Sequence, residues 1–185
     1  MAVAIVVRQR RVRIAASRLA RAAVRALHSL GREGSDVDIA LVDDADIRRL
    51  NGTFRGIRRR TDVLAFPMEA PDAGSPLLGE IVISTDTALR QARRVRVPLG
   101  AELELLVTHG VLHLVGYDDR DPVEASLMHE REREIMSAGR TPPPARLWRG
   151  LLSASVGAGS ARPAPTVGGL RKVRPGPARQ ARSTA

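Results

Sequence analysis

The chain has 185 residues, of which 43% are hydrophobic and 2% aromatic, so any core must be built from aliphatic side chains. It contains no cysteine, which excludes disulfides, thiolate metal sites and cysteine nucleophiles. The formal net charge of +10 favours a polyanionic partner, although charge alone names none.

The first residues give no sign of a targeting or membrane segment. The apolar stretch of residues 2–7 is short and arginines follow it, whereas a signal peptide places its charges before its apolar stretch. A spanning helix needs about 20 apolar residues, and the sequence has no such run. We therefore expect a cytoplasmic protein without membrane association.

Apolar residues alternate, or recur at helical spacing, along most of the chain, which predicts a series of short strands and helices. Together they predict an α/β protein of the α+β type, a single domain with a small mixed sheet of about four strands packed with about five helices. In chain order we predict strand Val3–Val7, helix Ile14–Leu30, strand Asp36–Val42, helix Asp44–Phe54, strand Thr61–Phe66, strand Leu78–Ser84, helix Thr85–Val95, helix Gly100–Val115 and helix Pro122–Ala138.

After residue 140 the composition changes. Three prolines at 142–144 end the last helix, and the residues that follow are rich in Pro, Gly, Ala and Arg. Such a segment cannot bury enough apolar surface to offset the entropy of ordering it. We therefore predict a domain over residues 1–140 and a disordered basic tail over residues 141–185. The basic residues after position 150 are Arg162, Arg171, Lys172, Arg174, Arg179 and Arg182.

The passage from Thr108 to Asp119 carries the chemistry. His109 and His113 are four residues apart in a helical segment, so both imidazoles project from one face and can meet one ion. Gly116 favours a helix end and a reversal that brings Asp118 or Asp119 back toward that ion. Two imidazoles and a carboxylate, with a position left for water, are typical of a catalytic metal site. The alternative is a pair of packed or solvated histidines without a metal.

Three blocks of sequence appear in one order along the chain. They are Leu50-Asn-Gly-Thr-Phe-Arg55 followed by Thr61-Asp-Val-Leu-Ala-Phe-Pro67, then Leu78-Gly-Glu-Ile-Val-Ile-Ser84, then His109-Gly-Val-Leu-His-Leu-Val-Gly-Tyr-Asp118 with Met128 and Glu132. These blocks closely resemble the YbeY family of metal-dependent endoribonucleases, which are bacterial rRNA maturation factors. The resemblance covers most of residues 35–135, and the tail lies outside it.

The resemblance implies a zinc ion held by three histidines in the spacing His-x3-His-x5-His. His109 and His113 occupy the first two positions, whereas the third position is Asp119. Aspartate is a competent zinc ligand. Its charge lowers the net charge of the site from about +2 to about +1, which should make a bound water less acidic and favour harder ions such as Mn²⁺.

Arg55 matches the arginine that the family places near its metal cleft, where a guanidinium can grip a phosphate oxygen and stabilise charge in the transition state. The neighbouring Arg58, Arg59 and Arg60 would extend an RNA-binding surface, or form an ordinary solvated loop. Asp118 would either orient a metal ligand or only shape the turn after Gly116. His129, on the following helix, is a weaker candidate than Asp119 for the third ligand, and we expect a solvated position there.

The resemblance implies a single-strand-specific endoribonuclease that acts in rRNA maturation, at the 3′ end of 16S rRNA, and in ribosome quality control. Its partners would be rRNA and the small ribosomal subunit, with no DNA. One alternative is a ribosome-associated or rRNA-associated binding factor with a structural metal and weak activity. A zinc peptidase is a further alternative, but Gly110 stands where such enzymes carry the glutamate base after their first histidine.

Overall fold

The computed structural model describes residues 1–9, 11–68, 77–139 and 142–148. All nine predicted elements are present within these ranges, with ends shifted by two residues at most. They are β1 Val3–Val7, α1 Ala16–Ser29, β2 Asp36–Val42, α2 Asp44–Arg55, β3 Val63–Pro67, β4 Leu77–Ser84, α3 Thr85–Val95, α4 Leu99–Leu114 and α5 Pro122–Ser137. Residues 70–76, whose Pro, Gly, Ser and Asp content predicts turns, lie outside the described residues.

The four strands form one mixed sheet in the order β1-β2-β4-β3. β1, β2 and β4 run parallel to one another, while β3 pairs antiparallel with β4 along the opposite edge. The predicted fold class, a single α/β domain with a small mixed sheet and five helices, is therefore confirmed.

Aliphatic side chains cover both faces of the sheet, as the scarcity of aromatic residues requires. On one face, alternate residues of the strands pack against α1, α4 and α5 and form the main core. On the other face a smaller cluster packs under α2, and its members are Ala40, Val42, Ile47, Leu64 and Val82. The period of two along each strand decides which residues face which layer.

Helix α4 is the central element, because it is apolar on nearly every side. It lies across β3 and β4 and also contacts α1, α3 and α5. Gly110 faces the sheet so closely that a Cβ atom there would meet Cγ2 of Ile81 at 2.7 Å. This close approach fixes α4 on the sheet and determines where its last two turns lie.

The chain still contributes to the core beyond residue 140. The short 3-10 helix Ala145–Leu147 buries Leu147 against a cluster that includes Ala92, Leu105 and Met136. The predicted division at residue 140 and the basic tail stay predictions, since most of residues 141–185 lie outside the described ranges. Within those ranges, no helix is both long and apolar enough to cross a bilayer.

Candidate metal centre

The C-terminal end of α4 and the turn after it bring three predicted ligands together. His109 and His113 lie one helical turn apart, and the helix ends at Leu114. Gly116 has a φ of 98°, a left-handed conformation that glycine adopts at little cost, and the chain reverses there. The backbone N–H of Tyr117 donates to the carbonyl of Leu112, which closes the turn. Asp119 is thereby returned to the face of α4 that carries the histidines.

The ligand atoms of these residues face one another. The Nε2 atoms of His109 and His113 are 2.9 Å apart. Carboxylate oxygens of Asp119 lie 3.8 Å from Nε2 of His109 and 3.9 Å from Nε2 of His113. Two nitrogen ligands of one tetrahedral zinc ion, each at about 2.0–2.1 Å from the metal, would be separated by about 3.3 Å. The triangle therefore has the dimensions that a single ion needs.

The far side of each imidazole is already hydrogen-bonded, which tests whether the residues fit a metal. Nδ1 of His109 lies 2.7 Å from Oε1 of Glu132, and Nδ1 of His113 lies 2.9 Å from the carbonyl oxygen of Tyr117. Because both partners are acceptors, both Nδ1 atoms must donate, and the Nε2 lone pairs remain for a metal. Among the residues that the structure describes, His109, His113 and Asp119 form the one group of this kind that could hold an ion.

The two histidines differ in their electrostatic surroundings. Burial disfavours the charged form of His109, but the hydrogen bond and charge of Glu132 outweigh it and raise the pKa of His109. Burial, together with the charges of His109 and Arg55, lowers the pKa of His113 to about 4. The two facing imidazoles therefore differ in how strongly their surroundings favour the charged form. A metal ion would compete with protons for their Nε2 lone pairs.

Arg55, the last residue of α2, lies beside the same triangle. Desolvation lowers the pKa of Arg55, and the nearby carboxylate of Asp119 opposes this shift. Its guanidinium also acts on the pKa of His113, so it is within electrostatic reach of two of the three ligands. A guanidinium stays charged at any physiological pH. The structure thus places Arg55 close enough to Asp119 and His113 to act on both electrostatically, while its role in binding phosphate stays a prediction.

The other predicted site residues are placed less closely. Arg58, Arg59 and Arg60 are exposed in the loop that follows α2, and the carbonyl of Arg59 accepts a hydrogen bond from Asn51 at 2.7 Å. Asp118 accepts hydrogen bonds from the backbone N–H of Arg120 and, at 2.6 Å, from its Nε atom. That contact suits the turn-shaping alternative for Asp118, since it is a partner of Arg120 and not of a histidine.

Two buried residues of α5 have roles that the sequence did not disclose. Glu132 is fully buried and contacts His109, although the sequence pattern assigned it no role. The expectation that His129 is solvated is wrong, because it is buried and its Nδ1 atom lies 3.0 Å from Oε2 of Glu132. The signal was available in the helical spacing, since both residues fall on the stripe that also holds Ala125, Met128 and Ile135.

Comparisons with known proteins agree on one family. The family model described as "Endoribonuclease YbeY" matches residues 4–139. Two proteins called endoribonuclease YbeY, from Anaeromyxobacter sp. (strain Fw109-5) and Anaeromyxobacter dehalogenans (strain 2CP-C), are 47% identical over 128 residues and 46% identical over 124 residues. These matches cover 69% and 67% of this chain, and 67% and 64% of the relatives, so the chain spans about two thirds of their length.

A solved structure also resembles this chain. The solution structure of TM1509 from Thermotoga maritima has a TM-score of 0.51 and 25% sequence identity, and the match covers 84% of this chain and 96% of that one. The match supports the arrangement of strands and helices described above.

Proposed function

Because this chain belongs to the endoribonuclease YbeY family, we propose that it is a metal-dependent endoribonuclease that hydrolyses phosphodiester bonds in single-stranded RNA. The convergence of His109, His113 and Asp119 beside a permanently charged Arg55 is the observation that carries this proposal. A metal-ligand triangle next to a cation is an arrangement that can activate water and stabilise the charge that develops when a phosphodiester is hydrolysed.

The metal ligands, Arg55 and the three arginines of the following loop have separate tasks in this reaction. His109, His113 and Asp119 would hold a divalent ion, which when bound lowers the pKa of a water and polarises the scissile phosphate. Arg55 binds a non-bridging phosphate oxygen and stabilises the charge that develops on it. Arg58, Arg59 and Arg60 bind the phosphates on either side and hold the strand across the centre.

We propose Zn²⁺ as the ion, with Mn²⁺ as the alternative that the carboxylate ligand favours. Two imidazoles and one carboxylate form a common set for catalytic zinc and leave a position for water. Asp119 adds a negative charge and a hard oxygen donor, and oxygen donors suit manganese.

The substrate that we propose is rRNA of the small ribosomal subunit, processed at the 3′ end of 16S rRNA in the cytoplasm, with a part in ribosome quality control. Family membership and the net charge of +10 support this assignment. RNA single strands expose unstacked bases and a flexible backbone, which a cleft lined with arginines can follow. The basic residues after position 150 would add attraction to the same polyanion.

A binding factor with a structural metal is the second candidate function. The departure from histidine at the third ligand position favours it, since a less acidic bound water would weaken hydrolysis. The peptidase alternative loses support from the geometry of position 110. A Cβ atom there would meet Ile81, so a glutamate at this position would point into the sheet and away from a metal-bound water.

The purified full chain tests these functions directly. Its zinc content is measured, and cleavage of single-stranded RNA is compared for the wild type, His113→Ala and the control His28→Ala, which changes an exposed histidine. We expect His113→Ala to lose the metal and at least roughly 100-fold of the cleavage rate, while His28→Ala keeps both. Duplex RNA and DNA should remain intact.

Other outcomes identify the alternatives. RNA affinity that survives His113→Ala, with no cleavage by either protein, would establish the binding factor. Hydrolysis of casein that a chelator abolishes would establish the peptidase.

A further inference from the structure

Glu132 is a charged side chain that the core encloses completely. It lies on α5, faces α4 and has no exposed surface. Removing a carboxylate from water costs several kcal/mol unless hydrogen bonds compensate. A residue of this kind persists in a core only where its partners satisfy both oxygens.

Two histidines satisfy those oxygens, one on each. Oε1 accepts the Nδ1–H of His109 at 2.7 Å, and Oε2 accepts the Nδ1–H of His129 at 3.0 Å. Glu132 is therefore held between a residue of the metal centre and a residue of its own helix. It does not belong to the group that could hold the ion, because it lies behind the His109 ring.

The contact distinguishes His109 from the second histidine of the centre. His113 donates its Nδ1–H to a neutral backbone carbonyl, that of Tyr117. His109 donates to a carboxylate, which fixes the tautomer and the ring plane more strongly and makes Nε2 a better donor to a metal. The two imidazole ligands are therefore supported unequally, and His109 receives the stronger support.

The burial of His129 is energetically unfavourable at one of its ring nitrogens. Its Nε2 atom is buried and has no hydrogen-bond partner among the described residues. A buried polar atom without a partner destabilises the fold. Among the described residues, the side chain of His129 has its hydrogen bond with Glu132, where it occupies the second carboxylate oxygen.

We infer that Glu132 is a positioning residue for the metal centre, holding the His109 imidazole with Nε2 directed at the ion, and that His129 keeps Glu132 in place. The inference rests on the proposed metal-dependent function, but it concerns the ring of His109 and can be measured without any reaction. It assigns to α5 a part in metal binding, in addition to its packing against α4.

The first experiment measures zinc affinity of the full chain by competition with a chromophoric chelator. Glu132→Gln keeps an acceptor oxygen but removes the charge, and we expect it to weaken zinc binding by roughly 10–100-fold. Glu130→Gln, which changes an exposed glutamate of the same helix, should bind zinc as the wild type does. Equal zinc affinity of a folded Glu132→Gln and the wild type would overturn the inference.

A second measurement covers the case in which Glu132→Gln does not fold. His129→Asn retains an N–H donor near the position of Nδ1, whereas His129→Leu removes it. We expect zinc affinity to fall further in His129→Leu than in His129→Asn. The comparison requires that the two metal-free variants have the same thermal stability, so that a difference in folding does not account for it. Identical affinities of the two variants would contradict the role given to His129.

Nuclear magnetic resonance of the metal-free protein separates this inference from the proposed function. The ¹⁵N shifts of the His109 ring should report a proton on Nδ1 in the wild type, and its exchange with solvent should quicken in His129→Leu. If the wild type binds zinc and cleaves no RNA, the nuclease proposal fails, whereas the positioning role is still tested by the zinc affinities and the ¹⁵N shifts. An Nδ1 without a proton in the wild type would overturn the positioning role itself.

Discussion

A buried glutamate lies at each end of α4, Glu102 in the helix itself and Glu132 on the neighbouring α5, and the two carboxyl groups behave in opposite ways. Glu102, in the first turn of α4, is 3% exposed, and its Oε2 atom has no partner among the described residues. Burial, reinforced by the charge of Asp62, raises the pKa of Glu102 to about 7. Glu132, beside the last turns of α4, is buried as well, but hydrogen bonds from His109 and His129 outweigh the burial and lower its pKa.

The difference shows that hydrogen-bond partners can outweigh burial in deciding whether an enclosed carboxyl group is charged. At the first end of α4 an acid stands without sufficient partners and takes up a proton near neutral pH. At the second end Glu132 accepts the Nδ1–H of His109 and the carbonyl of Tyr117 accepts the Nδ1–H of His113, which leaves the Nε2 lone pairs of both histidines directed at one point. A functional site is recognised by that direction of lone pairs, more than by the presence of acidic residues.

The largest expected effect follows from removing a ligand at the second end. Asp119→Ala should lower zinc affinity by about three orders of magnitude, more than the 10–100-fold typical of losing a partner behind a ligand. Asp119→His should keep or raise the affinity, because imidazole is an equally competent ligand. The measurement is chelator competition on the full chain.

Asp118→Ala is the matched control, since that neighbouring carboxylate pairs with Arg120. Its zinc affinity should stay within a factor of a few of the wild type. If Asp118→Ala weakened zinc binding as much as Asp119→Ala does, our assignment of Asp119 as the third ligand would be wrong.

Glu102→Gln should stabilise the protein at neutral and alkaline pH but not at acid pH. The folded state binds the proton of Glu102 more tightly than the unfolded chain, in which the pKa of this group is near 4.5. The contribution of this proton to the unfolding free energy is therefore fully present below pH 4.5 and is lost as the pH rises through about 7. The shift corresponds to about 3 kcal/mol. The variant should therefore exceed the wild type by up to that amount at pH 8 and by little at pH 4, in urea unfolding at both values.

Glu130→Gln serves as the control for Glu102→Gln, because Glu130 is exposed on α5. Its unfolding free energy should follow the wild type at both pH values. If Glu102→Gln and the wild type showed the same pH dependence, the contrast between the two ends of α4 would be lost.

The sequence was sufficient for the elements because their ends are set locally. Asp43 caps α2 by accepting from the backbone N–H of Asp46 at 2.9 Å, and Ser84 caps α3 in the same way. Such signals lie within a few residues of the helix that they begin. The strand order was not predictable, because the placement of β4 between β2 and β3 depends on contacts between segments far apart in sequence.

The same distinction separates the parts of the candidate site. His109 and His113 share one helix, so their spacing predicted that both imidazoles face one point. The turn after Gly116 left Asp118 and Asp119 as candidates for the third ligand, and the resemblance to the family indicated Asp119, which the structure groups with the two histidines. Helical spacing could have placed His129 and Glu132 on the buried stripe of α5, but it could not show which residue of another helix they face. The bond from His109 to Glu132 joins residues of two helices. Contacts of that kind need the tertiary structure, and for this reason the support behind His109 could not be read from the sequence.

A third carboxylate shows what partners achieve away from any metal. Asp44, at the start of α2, accepts hydrogen bonds from the hydroxyls of Ser84 and Thr87, both at 2.7 Å, and pairs with Arg90 at 2.8 Å. Asp44→Ala leaves these donors unsatisfied and should cost about 1–2 kcal/mol of unfolding free energy. Zinc affinity should not change, because none of these groups belongs to the metal centre.

Asp46→Ala gives the matched comparison for Asp44→Ala. Asp46 pairs with Arg49 on the surface of α2, and exposed pairs contribute about 0.2–1 kcal/mol. Thermal or urea unfolding should rank Asp44→Ala below Asp46→Ala. The reverse ranking, or a loss of zinc from Asp44→Ala, would contradict the view that this cluster serves only the fold.

The smallest effect is expected in the exposed loop that follows α2. Arg58 is exposed and its stem packs over Gly52, so its removal should leave the fold intact. If its guanidinium neutralises one phosphate of single-stranded RNA, Arg58→Ala should flatten the slope of log affinity against log salt by about 0.7. Arg21→Ala, which removes an exposed arginine of α1, should leave that slope unchanged. Equal slopes for all three proteins would mean that RNA crosses the metal centre without touching this loop, and Arg55 alone would then hold the phosphate.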